Sequence, residues 1–282
     1  MVHVKLRRVR QVSTFRRLAV AAWGPPRDPT IHGSLEIDAG PALAYLDALH
    51  RRTGQRATLT HLVGRALAVA LAERPELNVL IRWQRFYQRE DVDIFFQVAL
   101  QADNHDAGAA DLSGVVVRRA DTKSVADIAR EFGERVAAVR DDRDPELAGV
   151  RRALGSVPPL LLRPLHRLLD VLQYSFNLRL PGLPRDSFGS AAVTNVGMFG
   201  ARWAYAPLFP PSHAPIVLLV GAVVNRPWVV EGENGPQVAV RPVLPLHATF
   251  DHRVLDGVQA SRLGARVESL LAAPTLLDLP VT

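Results

Sequence analysis

The stretch Leu244-Pro245-Leu246-His247-Ala248-Thr249-Phe250-Asp251-His252-Arg253-Val254-Leu255-Asp256-Gly257 decides how this chain is read. Its first part is a largely apolar run that predicts a strand over 238–250. His252 stands where that strand gives way to a turn. Asp256 is a natural N-cap for a helix predicted over 257–272, which Pro274 ends. A rigid strand end can present a side chain at a cleft. A histidine so placed can act as a general base near neutral pH. The chain holds nine His, so the position alone says little, and the weight comes from the residues around it.

Working outward, Glu233-Asn234-Gly235 is a turn signal between a strand over 227–231 and the one that leads to His252. Further strands are predicted over 190–196 and 216–224. At the other end of the chain, Ile31 to Asp38 alternates apolar and polar residues, as a half-buried strand does. Helical spacing follows over 41–52. It is clearest over 58–74, where Leu59, Leu62, Val63, Ala66, Leu67, Ala70 and Leu71 share a face, and Pro75 stops that helix. Strands are predicted over 79–88, 92–101 and 114–118, with a loop at 102–110. Ser124 is placed to cap a helix over 124–140, with Asp127 three residues on. Strands and helices mix without strict βαβ alternation, and the expected class is α+β with a large mixed sheet flanked by helices. Residues 1–282 are read as a single domain.

The segment 141–189 stands apart. It opens with charges, DDRDPE, and continues as Pro158-Pro159-Leu160-Leu161-Leu162-Arg163-Pro164-Leu165-His166-Arg167-Leu168-Leu169-Asp170. A helix over 164–174 would be apolar with a basic edge. A packed lid or a subunit interface is the expected role, ahead of contact between 158–174 and a membrane surface.

Composition removes several classes. The chain has no Cys, which excludes disulfides, thiolate metal sites and an acyl-cysteine intermediate. No metal-ligand spacing, P-loop or dinucleotide fingerprint occurs. The longest apolar run, 214–224, is too short to span a bilayer. The basic N-terminus has no apolar stretch behind it, so a soluble cytoplasmic protein is expected. Net charge is +6 from 34 basic residues, of which only Lys5 and Lys123 are lysines. With no nucleic-acid motif beside them, these arginines read as a solvated surface, some of them available to a phosphate-bearing substrate.

The string Phe250-Asp251-His252-Arg253 with Asp256-Gly257 resembles the signature of the dihydrolipoamide acyltransferase catalytic domain. That domain is the core component of 2-oxo acid dehydrogenase complexes and belongs to the chloramphenicol acetyltransferase-like superfamily. Other stretches are similar too: Leu59 to Leu62 through Pro75-Glu76-Leu77-Asn78, Val115 to Ser124, Val193-Thr194-Asn195-Val196-Gly197, and Pro210-Pro211 with Ile216 to Gly221. The resemblance implies a chloramphenicol acetyltransferase-like fold. It implies His252 as the general base, Thr194 as a donor to the oxyanion, and Asp256 as an organiser of the site. It implies Asn195, Gly197 and Arg253 as substrate-binding residues, coenzyme A as the acyl substrate, and a homotrimer or a multiple of trimers. Without it, Thr194 is a strand residue, Asp256 a helix cap and His61 a packed histidine. His213 and His247 lie near the key strands and read as packed residues sooner than as residues lining the site. Glu36 and Asp38 would pair with arginines.

Two departures follow. The sequence holds no lipoyl lysine site and no peripheral-subunit-binding domain, so the lipoyl group would come from a separate carrier or the acceptor would differ. The segment 141–189 exceeds the family's connection there. The leading expectation is acyl transfer between coenzyme A and a thiol or hydroxyl acceptor. The alternatives are a non-catalytic trimeric scaffold and a core subunit acting in trans with separate dehydrogenase subunits.

Overall fold

The computed structural model describes residues 28–100, 111–140, 158–233 and 235–278. The predicted loop 102–110 and the charged opening of the 141–189 segment lie outside the described residues. From its first described strand the chain runs β1 (Thr30–Asp38), α1 (Gly40–Thr53), α2 (Leu59–Ala72), β2 (Val79–Arg82), β3 (Arg85–Gln88), β4 (Ile94–Leu100), β5 (Asp111–Val117) and α3 (Val125–Arg140). It continues through α4 (Pro159–Asp170), β6 (Ala191–Asn195), β7 (Ile216–Val220), β8 (Val224–Gly232), β9 (Gly235–Asp251) and α5 (Gly257–Ala272).

Seven strands form one sheet in the order β1-β9-β7-β6-β4-β5, with β8 beside β9. The pairs β4–β6 and β6–β7 are parallel and the others antiparallel. This is the expected mixed sheet. Strand β9 is 17 residues long because it serves two partnerships. Its first half pairs with β8, and its second half, from Val243, lies between β1 and β7.

Side chains alternate across the sheet. Leu244, Leu246, Ala248 and Phe250 of β9 face the helices and join one core with Leu62, Leu67, Leu270 and Phe96. The other face of β9 carries Pro245, His247, Thr249 and Asp251. Register places Ser34, His247, Leu219 and Thr194 in one row across β1, β9, β7 and β6 on that second face. His247 is buried there. It donates from Nε2 to the Arg202 carbonyl at 2.8 Å, so its Nδ1 accepts from the Ser34 hydroxyl, also at 2.8 Å.

Helix α2 is buried on every side from His61 to Leu71, not on one face. It runs between the sheet, α3 and α5, and its small residues allow that approach. Gly64 shows the constraint, since a Cβ there would fall 2.3 Å from Cζ of Phe96. His61 caps the helix. Its Nδ1 accepts from the Thr58 backbone N–H at 3.1 Å, and its ring packs against Phe132 and Phe96. Burial pushes this imidazole down from its ordinary 6.5 to about 4. The unfolded chain therefore takes up the proton first as pH falls. The stability that neutral His61 provides is complete above about pH 6.5 and is lost as pH falls toward 4, to the extent of about 3 kcal/mol. Urea midpoints measured across that range should fall with pH, and His61→Gln should flatten the decline. Equal slopes in the two proteins would refute this assignment.

Two local expectations change. The run 79–88 is not one strand but a hairpin, turned by Trp83 and Gln84, both at positive φ (50° and 59°). That backbone is normally the choice of Gly or Asn, and its absence from the sequence hid the turn. The helix predicted over 164–174 begins earlier, because Pro158-Pro159 starts it rather than blocking it; Pro is favoured in the first turn, where its missing N–H costs nothing. After Asp170 it widens into a π-turn over Val171–Ser175.

Candidate active site

His252 follows the last residue of β9. Its backbone N–H donates to the Pro29 carbonyl at 2.8 Å. Asp251 builds the turn beneath it. The carbonyl of Asp251 accepts from Val254 N and Leu255 N, and its buried carboxylate accepts from Arg253 N at 2.9 Å and from the Arg253 guanidinium at 2.6 to 3.1 Å. This charge-assisted fork holds the turn's shape. Arg253, one of the residues implied to bind substrate, thus has an intramolecular partner.

The imidazole of His252 is fixed from behind. Its Nδ1 lies 3.0 Å from the Leu255 carbonyl. A carbonyl only accepts, so Nδ1 donates to it and Nε2 is the ring nitrogen turned away from that bond. The residue is exposed, while Leu255 is buried. The oriented imidazole presents Nε2 to whatever approaches the turn.

Asp256 is the N-cap of α5. Its Oδ1 accepts from Gln259 N at 2.8 Å, and Gln259 Oε1 accepts from Asp256 N at 3.0 Å, a capping box. Its carboxylate is aimed at the helix start. Asp256→Ala should cost about 1 kcal/mol while Asp256→Asn keeps most of the cap. Denaturant unfolding of both variants tests this, and equal losses would show that the capping bond contributes nothing.

Thr194 is buried on β6, on the second face of the sheet. Register sets it level with His247, five residues before His252 and two strands across. With strand spacings of about 4.8 Å and a rise of about 3.3 Å per residue, Thr194 and His252 of one chain stand roughly 20 Å apart. The chain by itself therefore does not bring them together. Asn195, next along, donates to the Thr60 hydroxyl at 2.7 Å and accepts from Met198 N at 3.2 Å. It ties the end of β6 to the start of α2. Gly197 is required by close approach: a Cβ there would lie 2.4 Å from the Gly221 carbonyl oxygen.

The remaining candidates have structural partners. His213 Nε2 donates to the Asp170 carboxylate at 2.7 Å, so His213 anchors the long insertion. Glu36 pairs with Arg226 and Asp38 with Arg241, the arginine pairings expected for them. A cavity of about 370 Å³ lies between β1, β9 and α5, lined by Ile31, Leu35, Leu246, Phe250, Leu263 and Val267 among others. It sits on the helix side of the sheet, away from Thr194, and His252 does not line it. Among the described residues no group of three His, Asp or Glu is placed to hold a metal ion.

Against known proteins, the profile of the 2-oxoacid dehydrogenases acyltransferase (catalytic domain) family matches residues 3–146 and 186–279. The chain belongs to this family. Its acyltransferase relatives include the dihydrolipoyllysine-residue acetyltransferase component of the acetoin cleaving system of Bacillus subtilis, 27% identical over 228 residues, which are 81% of this chain and 44% of that protein. The lipoamide acyltransferase component of the branched-chain alpha-keto acid dehydrogenase complex of the same organism is 26% identical over 243 residues, 84% of this chain and 45% of that protein. The chain spans less than half the length of these two acyltransferases. Among solved structures, a probable dihydrolipoamide acetyltransferase from Listeria monocytogenes superposes with a TM-score of 0.63 at 21% identity, covering 95% of each chain. The cubic core of a pyruvate dehydrogenase multienzyme complex gives 0.62 at 19%, covering 98% and 96%. The family's match omits 147–185, so most of the 141–189 insertion lies outside it.

Proposed function

We propose that this chain moves an acyl group between coenzyme A and a thiol or hydroxyl acceptor, with His252 as the general base. The observation that carries the reading is the imidazole fixed by the Leu255 carbonyl, with Nε2 turned away from that bond at an exposed turn of the family's fold. Nε2 takes the acceptor's proton. The acceptor's sulfur or oxygen attacks the thioester carbonyl, and a tetrahedral oxyanion forms. Collapse breaks the bond to the coenzyme A sulfur, which leaves as thiolate and takes up the proton that His252 received from the acceptor. No acyl-enzyme is needed, in keeping with a sequence that has no Cys.

Thr194 donates to the oxyanion in this scheme. Because it stands roughly 20 Å from His252 of its own chain, the pair is completed by Thr194 of a neighbouring copy in a trimer. Support comes from the dihydrolipoamide acetyltransferase of Azotobacter vinelandii, where a serine, a histidine and an asparagine have been investigated for their role in the catalytic mechanism. The cubic core described for a pyruvate dehydrogenase complex supports assembly into trimers or multiples of them. The test is release of free thiol from acetyl-CoA and longer acyl-CoAs, with and without dihydrolipoamide. Thiol release that is dependent on an acceptor is the expected result, and none with any acyl-CoA or acceptor would refute the proposal.

A further inference from the structure

Of the insertion that the family match leaves out, the structure describes the part from Pro158 onward. The end of this part, from Asp170 on, is bound to the body. Asp170 contacts His213, and the Tyr174 ring stacks on the His213 ring with centroids 4.1 Å apart. Gln173 donates to the Pro184 carbonyl. Trp83, at the tip of the β2–β3 hairpin, donates from its indole to the Ser175 carbonyl at 2.8 Å and packs edge-on against Phe176. Helix α4 is thus held in a defined place, joined to the hairpin.

Its outer face is nonetheless bare. Leu160, Pro164, Leu168 and Val171 fall at i, i+4, i+8 and i+11, one stripe along the helix. All four are exposed; Leu160 is 90% accessible and Leu168 55%. Beside this stripe, Phe176 and Trp83 are 55% and 59% accessible. Apolar side chains exposed in such continuity mark a contact surface. The stretch 158–185 contains four Arg and one acidic residue, Asp170, which His213 engages. The hairpin tip adds Arg82 and Arg85, with no acidic residue between them.

These facts select the partner. Another copy is a chain that carries +6 as a whole, so whichever of its faces met this one would supply little counter-charge. The partner must be apolar within and negative at its surface. A Leu stripe with arginines, bordered by an indole, matches the boundary between acyl chains and anionic headgroups. Among the described residues no helix is long and apolar enough to cross a membrane, so α4 would lie along the surface.

We propose that α4 and the tip of the β2–β3 hairpin form a docking surface for an anionic lipid bilayer. The surface lies at the catalytic end of the sheet. The loop that holds Asp170 through His213 continues to Pro215, whose carbonyl accepts from Asp251 N beside His252. Docking therefore sets the candidate base near the lipid boundary. The inference does not depend on the acyl-transfer reading, since binding is measured without turnover.

The full chain is sedimented with vesicles of phosphatidylcholine alone and of phosphatidylcholine with phosphatidylglycerol. Binding is expected only to the anionic vesicles, and high salt should weaken it. Leu160→Ser with Leu168→Ser should reduce partitioning at least tenfold, and Arg167→Glu should also reduce it. These side chains are exposed, so the variants should fold, as matching thermal midpoints will show. Failure to bind anionic vesicles overturns the proposal, as does unchanged binding by the double variant. So does equal binding to neutral vesicles. A variant that alters the oligomer on size exclusion while vesicle binding persists would assign the face to a second copy. Capture of an acidic protein with no vesicle binding would assign it to that protein.

Discussion

His252→Ala is expected to lower the rate of acyl transfer by roughly 10² to 10⁴, the usual range for removing a positioned general base. The side chain is exposed and, among the described residues, its hydrogen bond is to the Leu255 carbonyl. Its removal should leave the thermal midpoint nearly unchanged, because exposed groups of this kind contribute little to stability. That separation makes the test decisive. A variant that folds as the parent does but releases thiol orders of magnitude more slowly has lost chemistry, not structure. His252→Gln refines it. A glutamine amide can still donate to the Leu255 carbonyl, but it cannot take the acceptor's proton, so it should be as slow as alanine. Acyl transfer by His252→Ala at the parent's rate would end the enzymatic reading and leave a scaffold of the same fold. The assay must include an acceptor, since the proton that Nε2 removes belongs to the acceptor and not to the thioester.

The sequence showed this much because the informative features are local. The turn from β9 into α5 is written in contiguous residues, with Asp256 as a cap three residues before Gln259. The helix α3 likewise shows Ser124 at its start, and Ser124 Oγ does accept from Asp127 N. What could not be read is non-local or belongs to the backbone. The group that orients His252 is a main-chain carbonyl, and any residue at 255 would supply one. Arg65 lies at the centre of α2, where a charge looks misplaced. It is buried and donates to the carbonyls of Ala120, Asp121 and Leu277, up to 212 residues away. Burial lowers its pKa, yet carbonyls gathered from distant segments accept from both of its terminal nitrogens. Nothing at positions 58–74 announces those partners. Asn195 is similar, since its bond to Thr60 spans 135 residues. The α2 helix was legible as a helix but not as the central one, because periodicity reports one apolar face and is silent on what covers the others.

Two inactive variants should restore activity to each other. Thr194→Val removes the hydroxyl proposed to donate to the oxyanion, and loss of one such donor typically costs roughly 10² to 10³ in rate. Thr194→Ser, which keeps the hydroxyl, should retain most of the activity. The two residues lie roughly 20 Å apart in one chain, so a site that uses both draws them from different copies. If His252→Ala and Thr194→Val chains are dissociated, mixed in equal amounts and reassembled, some sites receive His252 from one chain and Thr194 from its neighbour. Random assortment in a cyclic trimer makes about a quarter of the sites intact. The mixture should therefore recover about a quarter of the wild-type rate, far above either parent. A site built within one chain gives no such recovery, because every chain in the mixture carries a defect. Recovery also needs exchange of subunits, so the mixed assembly should be verified by mass. A verified mixture that stays as slow as its parents would place Thr194 outside the site of His252, and the oxyanion donor would then have to be sought in groups nearer the turn after β9.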